Sequence, residues 1–314
     1  MFVLPQEIHV FSKEKINKMK NFYKDSIIDI PQGAVFRAKT SNAVITAYRS
    51  GKVMFQGKSV EFESIKWVDE VIGSANKTNT AAKKPKHNFA PPSTIFTMSH
   101  IGSDEAGTGD YFGPVTVASV YVKQEQIAKL KEIGVQDSKN LTDTTIRRLS
   151  KEIVDLDITY SLLVLRNPKY NTLKTRGWSQ GKMKAMLHHH AIGNVIKNVG
   201  HDSYEGIVID QFCEPGLYNK YIGGENEKSA PRTYFITKAE SHSIAVAAAS
   251  IIARTSFLKE MDKLSKEIGI TIPKGASQHV DKAIAKIIKE KGHKVLDSCA
   301  KTHFVNTKKA EAYL

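Results

Sequence analysis

An acidic pair, Asp104-Glu105, follows the apolar stretch 97–103 and leads into a glycine-rich turn. Two carboxylates held side by side repel each other unless a positive group, usually a cation, lies between them. Glycines beside the pair would let a ligand approach the backbone closely. A solvated surface pair is the alternative, and Asp69-Glu70, which lies on a helical pattern, is an example in the same chain. The apolar stretch and the glycines favour a functional site at the first pair.

Two further acids stand where apolar segments end or begin. Asp210 ends the short apolar run 206–209, and Glu240 precedes a long apolar helix pattern. Each has a simpler explanation, because a strand can end in a turn acid and an acid at a helix start is stabilised by the helix dipole. An acid that ends a buried central strand, however, faces the crevice where open α/β sheets bind ligands. Together with the first pair, these acids would form a four-carboxylate cluster suited to Mg²⁺ or Mn²⁺, which prefer oxygen ligands.

The elements that must hold these acids belong to a chain of 314 residues that is 41% hydrophobic and 25% charged. That composition excludes a disordered chain, a collagen-like fibre and a disulfide-stapled miniprotein. No stretch approaches the roughly 18 uninterrupted apolar residues of a membrane span. The N-terminal residues show no secretory signal pattern, so we expect no membrane partner. Cys213 and Cys299 lie outside any paired metal-site spacing, and so few cysteines lead us to expect a cytoplasmic protein.

The charge of the chain suggests a polyanionic partner. Lys and Arg number 46 against 32 Asp and Glu, which gives a formal net charge of +14. Residues 1–94 carry 15 basic and 8 acidic side chains, and the rest carry 31 and 24, so the excess is not confined to a tail. Lysine and arginine that neutralise phosphates release counterions, which favours nucleic acid binding. Solubility alone is the alternative explanation.

A lysine- and proline-rich segment without acids, residues 74–94, is typical of a linker. It separates a small α+β domain, 1–73, from a larger domain, 95–314. In the small domain the spacing of apolar residues predicts helices over 11–23, with Ser12 as N-cap, and over 58–72. Three short strands are predicted between the helices, over 34–38, 43–48 and 52–56.

Basic side chains on or beside this small predicted sheet offer a possible nucleic acid surface. They are Arg37, Lys39, Arg49 and Lys52. A sheet with these side chains could lie along a duplex, but an ordinary solvated sheet face would look the same. The sequence leaves both interpretations open.

The larger domain alternates strands with helices, which indicates an α/β architecture with a mixed sheet. One helix segment, 244–253, is apolar on every side, as expected of a buried central helix. The predicted strands cover 97–103, 113–122, 157–165 and 206–210. The predicted helices cover 124–134, 142–156, 176–199, 241–264 and 278–290.

Several short motifs of the larger domain resemble bacterial ribonuclease HIII and follow that family's order over residues 97–308. They are Asp104-Glu105-Ala106-Gly107-Thr108-Gly109-Asp110-Tyr111-Phe112-Gly113-Pro114, Asp137-Ser138-Lys139, Lys169-Tyr170-Asn171, Asp210-Gln211-Phe212, Lys238-Ala239-Glu240-Ser241, Pro273-Lys274-Gly275-Ala276 and Ala300-Lys301-Thr302-His303-Phe304. The resemblance implies an RNase H-like mixed sheet flanked by helices. It also implies endonucleolytic cleavage of the RNA strand of RNA–DNA hybrids, leaving 3′-hydroxyl and 5′-phosphate ends. The small domain is similar in layout to the TATA-binding-protein-like domain with which this family holds its substrate.

The resemblance implies a metal-binding role for each of the four acids. Asp104 would bridge two ions, Mg²⁺ or Mn²⁺, and Glu105, Asp210 and Glu240 would complete their ligand shells. In phosphodiester hydrolysis two such ions, roughly 3.5–4 Å apart, activate the attacking water and neutralise the leaving 3′-oxygen.

Substrate contacts are implied for residues that flank the acids. Main-chain groups of Gly107, Thr108 and Gly109 would reach ribose 2′-hydroxyls, the feature that distinguishes RNA from DNA. Lys139 and Lys238 would steady the phosphate backbone, although ordinary surface lysines are the alternative. The remaining substrate-binding candidates are Ser241 and Lys274.

Three positions separate this chain from the related ribonuclease HII pattern. That pattern has arginine at the position of Thr108, tyrosine at that of Ala276 and aspartate at that of Glu240. In ribonuclease HII the arginine and the tyrosine serve recognition of a single ribonucleotide joined to DNA. Their absence favours hybrids with several consecutive ribonucleotides.

Other residues have less specific patterns. The run His188-His189-His190 is not expected to bind metal, because adjacent residues on a helix point in different directions. His303 would lie near the leaving group or serve a structural role, and Cys213 is interpreted as structural. Three aromatic residues would stack on bases or sugars or pack in the core: Tyr111, Tyr170 and Trp178.

Three hypotheses for the function therefore remain, and we expect the protein to be a monomer. The first is a hybrid-specific, metal-dependent ribonuclease, the second a junction-cutting enzyme of the ribonuclease HII kind, and the third a catalytically inert hybrid-binding protein. Four retained acids argue against the inert protein, because clustered negative charge beside phosphate would weaken binding. Asp210→Asn discriminates, since an enzyme loses turnover while a binding protein keeps or improves its affinity.

Overall fold

A computed structural model of the chain describes residues 6–57, 60, 63, 64, 67, 89–136, 138, 141–223 and 228–314. Contacts divide the chain into two compact units, residues 1–82 and 83–314. Most of the predicted second helix at 58–72 and most of the predicted linker at 74–94 lie outside the described residues. None of the described helices is long and apolar enough to cross a membrane.

The first unit is a four-stranded antiparallel sheet packed against one helix. Its strands are β1 (Gln6–Val10), β2 (Ala34–Lys39), β3 (Val44–Tyr48) and β4 (Lys52–Gln56), in the order β1-β4-β3-β2. Helix α1 (Lys13–Phe22) begins after Ser12, whose side chain accepts a hydrogen bond from Lys15 N, as predicted. Sequence reasoning missed β1, which is only five residues long and has the polar Glu7 and His9 in its middle. The core of this unit contains Met19, Phe36, Ile45, Phe55 and Trp67.

The second unit is built on a five-stranded mixed sheet. Its strands are β5 (His100–Ala106), β6 (Val115–Val122), β7 (Tyr160–Leu165), β8 (Ile207–Asp210) and β9 (Thr233–Ile236). Their order is β7-β6-β5-β8-β9. The pairs β5–β6 and β6–β7 are antiparallel, whereas β5–β8 and β8–β9 are parallel. This mixed α/β architecture confirms the predicted fold class.

Helices cover both faces of this sheet. They are α2 (Gln126–Glu132), α3 (Asp143–Asp155), α4 (Asn167–Thr175), α5 (Gln180–Val199), α6 (Pro215–Gly223), α7 (Ile244–Ile268), α8 (Gln278–Lys291), α9 (Leu296–Cys299) and α10 (Asn306–Ala310). The apolar segment 244–253 is buried within α7, as predicted. Glycine at position 102 lets α7 approach β5, because a Cβ there would lie 2.2 Å from Val246 N.

Two predicted element bounds were wrong in ways that affect the site. The first strand of this unit covers His100–Ala106 rather than 97–103, so Asp104 and Glu105 belong to its end and not to the following turn. The predicted helix at 176–199 begins only at Gln180, because Ser179 caps its N-terminus. Gly177 has a positive φ of +82° in the turn that precedes it.

Candidate active site

The side chain of Asp104 points from the end of β5 towards α7. It is buried, and its Oδ1 accepts a hydrogen bond from Glu105 N at 2.7 Å. Ser250 of α7 also hydrogen-bonds this carboxylate. Burial, together with the negative charges of Glu105 and Asp210, raises the pKa of Asp104 well above its ordinary value. The negative charges of Glu105 and Asp210 therefore act on the Asp104 carboxylate.

Asp210 lies on the neighbouring parallel strand. Residue pairing of Ser103 with Ile209 brings the ends of β5 and β8 together, so the acids that follow these residues share one edge of the sheet. Oδ1 of Asp210 accepts a hydrogen bond from Ala239 N at 2.8 Å. Ala239 is followed by the buried Glu240 in a short 3-10 turn. This hydrogen bond ties the turn that carries the fourth acid to the strand end that carries the third.

Glu105 points to the opposite face of β5 from Asp104, where it meets helix α5. Its Oε1 accepts a hydrogen bond from Lys184 Nζ at 2.7 Å, and its Oε2 lies 2.9 Å from His188 Nε2. Burial by itself would raise the pKa of Glu105, but His188 and Lys184 outweigh it and hold the pKa at about 2. The pKa shifts of the two acids are thus opposite, because burial and acidic neighbours raise that of Asp104 whereas His188 and Lys184 lower that of Glu105.

His188 is fixed through both of its ring nitrogens. Its Nδ1 lies 2.7 Å from Ser103 Oγ, and Ser103 donates its hydroxyl hydrogen to Ala118 O at 3.0 Å. Nε2 donates to the carboxylate of Glu105, which can only accept. Both ring nitrogens of His188 therefore have a partner.

Sequence reasoning missed both partners of Glu105. It dismissed the run 188–190 as a metal site because adjacent helical residues diverge, and it thereby overlooked His188 as a partner of Glu105. A usable signal exists in the sequence. Lys184 and His188 are four residues apart, hence on one face of α5, and Met183, Ala185 and Ala191 around them are apolar. Buried polar side chains on an apolar helix face need a partner, and an acid is the natural one.

We call the C-terminal ends of β5 and β8, together with the turn that carries Glu240, the acidic edge. The carboxylates at the acidic edge have the donor chemistry that suits a divalent cation. Carboxylate oxygens are the preferred ligands of Mg²⁺ and Mn²⁺, and the mutual repulsion that raises the pKa of Asp104 is relieved by a bound positive charge. Among the described residues, no three His, Cys, Asp or Glu side chains already stand as a ready metal cage.

The glycine-rich turn after β5 is held by the rest of the unit. Gly107 has a φ of +84°, and a Cβ there would lie 2.2 Å from Pro114 O. Thr108 O accepts a hydrogen bond from Gln180 Nε2 at 3.0 Å. Gly109 is exposed, with open space where a Cβ would be. The turn is thus held by protein contacts at Gly107 and Thr108 and is open at Gly109.

Two later segments of the chain fix the other end of this turn. The buried Lys301 donates from Nζ to Asp110 O at 2.8 Å and to Gly113 O at 2.6 Å. Tyr111 N donates to Gly275 O at 2.9 Å. The motifs at 273–276 and 300–304 therefore serve the turn directly, which explains why they accompany it in this sequence.

Comparison with known proteins places the chain in a family. The family model described as Ribonuclease HII matches residues 101–307, and a domain of unknown function (DUF3378) matches residues 6–81. Ribonuclease HIII of Oceanobacillus iheyensis is 54% identical over 311 residues, covering 99% of this chain and 100% of the relative. The chain belongs to the ribonuclease HIII family. Ribonuclease HIII of Bacillus subtilis is 50% identical over 304 residues, covering 96% of this chain and 95% of the relative.

Solved structures agree with this ribonuclease HIII membership. Bst-RNase HIII in complex with Mn²⁺ matches with a TM-score of 0.70 and 40% identity, covering 98% of this chain and 99% of that chain. The ribonuclease H2 of Pyrococcus horikoshii OT3 matches with a TM-score of 0.55 and 23% identity, covering 69% of this chain and 99% of that chain, which shows a shared fold alone. The chain is therefore an enzyme, a ribonuclease of the H type.

The predicted substrate-binding residues of this ribonuclease HIII differ in their surroundings. Lys238 and Ser241 are exposed and flank the buried Glu240, with Lys238 in the left-handed region at a φ of +57°. Lys274 pairs with Asp143 instead of standing open at the acidic edge. Lys139 lies outside the described residues.

The aromatic and sulfur-containing candidates are packing residues. Tyr111 and Tyr170 are fully buried, which excludes stacking on bases by either ring. Trp178 packs against two core clusters of the ribonuclease unit. His303 stacks on Tyr170 at 5.6 Å between ring centroids. Burial raises the pKa of the Cys213 thiol to about 11, in accord with a structural role.

Proposed function

We propose that this ribonuclease HIII hydrolyses the RNA strand of RNA–DNA hybrids at the acidic edge of its five-stranded sheet. The observation that carries the proposal is the electrostatic coupling of Asp104 with Glu105 and Asp210 at the ends of two adjacent parallel strands. A carboxylate cluster of this kind is costly unless cations occupy it in the working enzyme. Membership in the ribonuclease HIII family, and the relative solved with Mn²⁺, support the same conclusion.

The catalytic and metal-binding residues of the proposal are the four acids. Asp104 is the shared ligand, because it is the most buried of the coupled acids and lies beside both of its neighbours. Glu105, Asp210 and Glu240 complete the donor set. When bound, two Mg²⁺ or Mn²⁺ ions activate the attacking water and neutralise the leaving oxygen of an in-line displacement.

The chain's own groups hold this donor set in place. Ala239 N donates to one oxygen of Asp210, and Glu105 N donates to one oxygen of Asp104, so the backbone orients both carboxylates. In the proposed reaction, the water oxygen bonds to phosphorus and the bond between phosphorus and the ribose 3′-oxygen breaks. The products are a 5′-phosphate and a 3′-hydroxyl, with the proton taken up by the leaving oxygen.

Selection of RNA is assigned to the glycine-rich turn. Its tip, Thr108 and Gly109, stands at the C-terminal end of β5 beside the acids, and Gly109 leaves room for a ribose against the backbone. Main-chain groups of Gly107, Thr108 and Gly109 would contact 2′-hydroxyls. The exposed Lys238 and Ser241 beside Glu240 are proposed to meet the phosphate backbone, with Lys139 and Lys274 as further backbone contacts.

The small N-terminal unit is proposed to be a TATA-binding-protein-like domain that binds the same duplex. Its register places Ile8, Met54, Thr46 and Arg37 in one row across the sheet face opposite the core. Lys39 lies on the same face of β2, two residues beyond Arg37. The cations at the β2 edge of this face suit contact with a phosphate backbone, while the rest of the row is Thr46, Met54 and the exposed Ile8. We further propose that the enzyme acts as a cytoplasmic monomer.

End-group analysis of the cleaved hybrid tests this reaction. The RNA strand is labelled internally, cleaved with Mn²⁺ present, and its new ends are probed with a 3′-end polymerase and a 5′-phosphate-dependent exonuclease. The proposal predicts extendable 3′-hydroxyl ends and exonuclease-sensitive 5′-phosphate ends. Cyclic phosphate ends would overturn it, because they require attack by the neighbouring 2′-hydroxyl instead of water.

A further inference from the structure

Two buried polar side chains of helix α5 contact the Glu105 carboxylate, one at each oxygen. Lys184 Nζ lies 2.7 Å from Oε1, and His188 Nε2 lies 2.9 Å from Oε2. The side chains of Lys184, His188 and Glu105 are only 11%, 0% and 14% exposed. One turn of helix α5 therefore supplies a hydrogen bond to each oxygen of the carboxylate. Because the three side chains are buried, water has little access to compete for either hydrogen bond.

The histidine is itself held from behind. Its Nδ1 is bound to Ser103 Oγ, and Ser103 is anchored to Ala118 O on β6. Its ring stacks on Phe212 at 5.1 Å between centroids and an interplanar angle of 21°. The imidazole consequently has one orientation, and it transmits that orientation to Glu105.

We propose that His188, assisted by Lys184, is a positioning residue that orients Glu105 as a metal ligand. The inference rests on the proposed function, because it gives a role to the contacts of one of its four acids. A carboxylate has about four lone-pair directions, so after these two hydrogen bonds each oxygen still offers one to a cation. Partners of this kind hold a ligand in the right direction, and their loss typically weakens metal binding 10–100-fold.

A purely structural role is a poorer account of this cluster. Buried ion pairs add little net stability, and apolar side chains of similar size commonly replace them without loss. The surroundings on α5 are apolar, with Met183, Ala185 and Ala191 buried beside the pair. If the only role of these side chains were to fill the space between α5 and β5, uncharged side chains would stabilise the fold equally well.

Two substitutions of His188 separate its two hydrogen bonds. In His188→Gln the amide nitrogen takes the place of Nε2, so the donor to Glu105 is kept and the bond to Ser103 is lost. In His188→Asn the amide nitrogen takes the place of Nδ1, so the bond to Ser103 is kept and the donor to Glu105 is lost. His190→Asn, the same substitution at an exposed site of the same helix, is the matched control.

Mn²⁺ binding to the full chain without nucleic acid is the readout, followed by the electron paramagnetic resonance signal of free Mn²⁺. We expect His188→Asn to weaken binding about 10–100-fold, and His188→Gln and His190→Asn to stay within about threefold of the parent. Thermal unfolding of each variant shows whether it is folded at the temperature of the titration. If His188→Asn is not folded, the comparison of His188→Gln with the parent carries the test, and a loss above about tenfold overturns the inference.

Two results would overturn the inference while leaving the proposed function intact. One is parent-like Mn²⁺ binding by folded His188→Asn, and the other is an equal loss in His188→Asn and His188→Gln. Absence of Mn²⁺ binding by the parent chain itself would instead contradict the metal site on which both depend.

Discussion

The carboxylate of Asp210 accepts a hydrogen bond at 2.8 Å from the backbone N–H of Ala239, although 29 positions separate the two residues. Asp210 ends β8, and Ala239 opens the turn that carries Glu240 and leads into α7. The bond ties one oxygen of the Asp210 carboxylate to the turn that carries Glu240. An asparagine at 210 would preserve this bond through its side-chain oxygen but lose the negative charge.

Asp210→Asn is therefore expected to remove catalysis without disturbing the fold. We expect kcat on an RNA–DNA hybrid to fall by more than about 100-fold, beyond the loss typical of an outer partner of a metal ligand. Hybrid affinity should stay equal or increase, because a negative charge beside phosphate is removed. Single-turnover cleavage and a binding titration on the same hybrid measure the two effects. Asp202→Asn, in the exposed turn before β8, is the control and should retain activity.

Asp104→Asn is expected to stabilise the metal-free protein at neutral pH. Burial and the charges of Glu105 and Asp210 raise the pKa of Asp104 in the folded state. Its ionised form therefore costs stability once the pH exceeds the ordinary value, and the cost is absent in acid, where the group is protonated in both states. Urea unfolding with a chelator should show a gain for the variant that grows from pH 4 to pH 7.

Asp143→Asn is the matched substitution, and we expect it to change the free energy of unfolding in the opposite direction to Asp104→Asn. Partial burial would raise the pKa of Asp143, but hydrogen bonds and charges from Lys274 and Arg254 lower it overall. Its ionised form therefore favours the folded state, and the amide should lower stability at pH 7. Equal effects of the two variants would contradict the electrostatic account of the acidic edge.

Glu105→Gln should destabilise the protein, in contrast to its neighbour. The pKa of Glu105 is held at about 2, below its ordinary value of 4.5, because His188 and Lys184 outweigh the effect of burial. Removing one partner of a buried pair leaves the others uncompensated and costs roughly 3 kcal/mol. The stabilisation is complete above pH 4.5 and is lost as the pH falls towards 2. Urea unfolding of both proteins at pH 7 and pH 3 should show the difference shrinking in acid.

Two glycines of the turn should respond differently to alanine. Gly107→Ala places a side chain in a left-handed conformation, which costs about 1–2 kcal/mol, and brings a Cβ within 2.2 Å of Pro114 O. We expect lower thermal stability and lower activity. Gly109→Ala meets no protein atom within 4 Å, so its fold should persist while the KM for hybrid rises. A normal KM for Gly109→Ala would argue against substrate contact at the tip of the turn.

The sequence predicted most of what the backbone pattern determines. The apolar runs before Asp104 and Asp210 indicated buried strands, and their placement side by side follows from the parallel pairing of β5 with β8. The apolar segment of α7 indicated the central helix. The short strands β1 and β9, of five and four residues, were missed.

Side-chain partners across the fold were beyond the reach of sequence patterns. Lys184 and His188 lie 79 and 83 positions from Glu105, and only the packing of α5 on β5 brings them together. Lys301 lies 191 and 188 positions from Asp110 and Gly113, whose carbonyl oxygens accept its hydrogen bonds. Local spacing shows which residues share a helix face, whereas the identity of the opposing acid depends on the tertiary fold.

Cleavage of four end-labelled duplexes tests the central claim most directly. The duplexes are an RNA–DNA hybrid, double-stranded RNA, double-stranded DNA, and DNA with one ribonucleotide, each incubated with Mg²⁺ or Mn²⁺. The account predicts cuts confined to the RNA strand of the hybrid and abolished by chelator and by Asp210→Asn. Efficient cleavage at the single ribonucleotide would contradict the interpretation of Thr108 and Ala276 and indicate activity of the ribonuclease HII kind. Tight hybrid binding without any cleavage would contradict the catalytic role of the four acids.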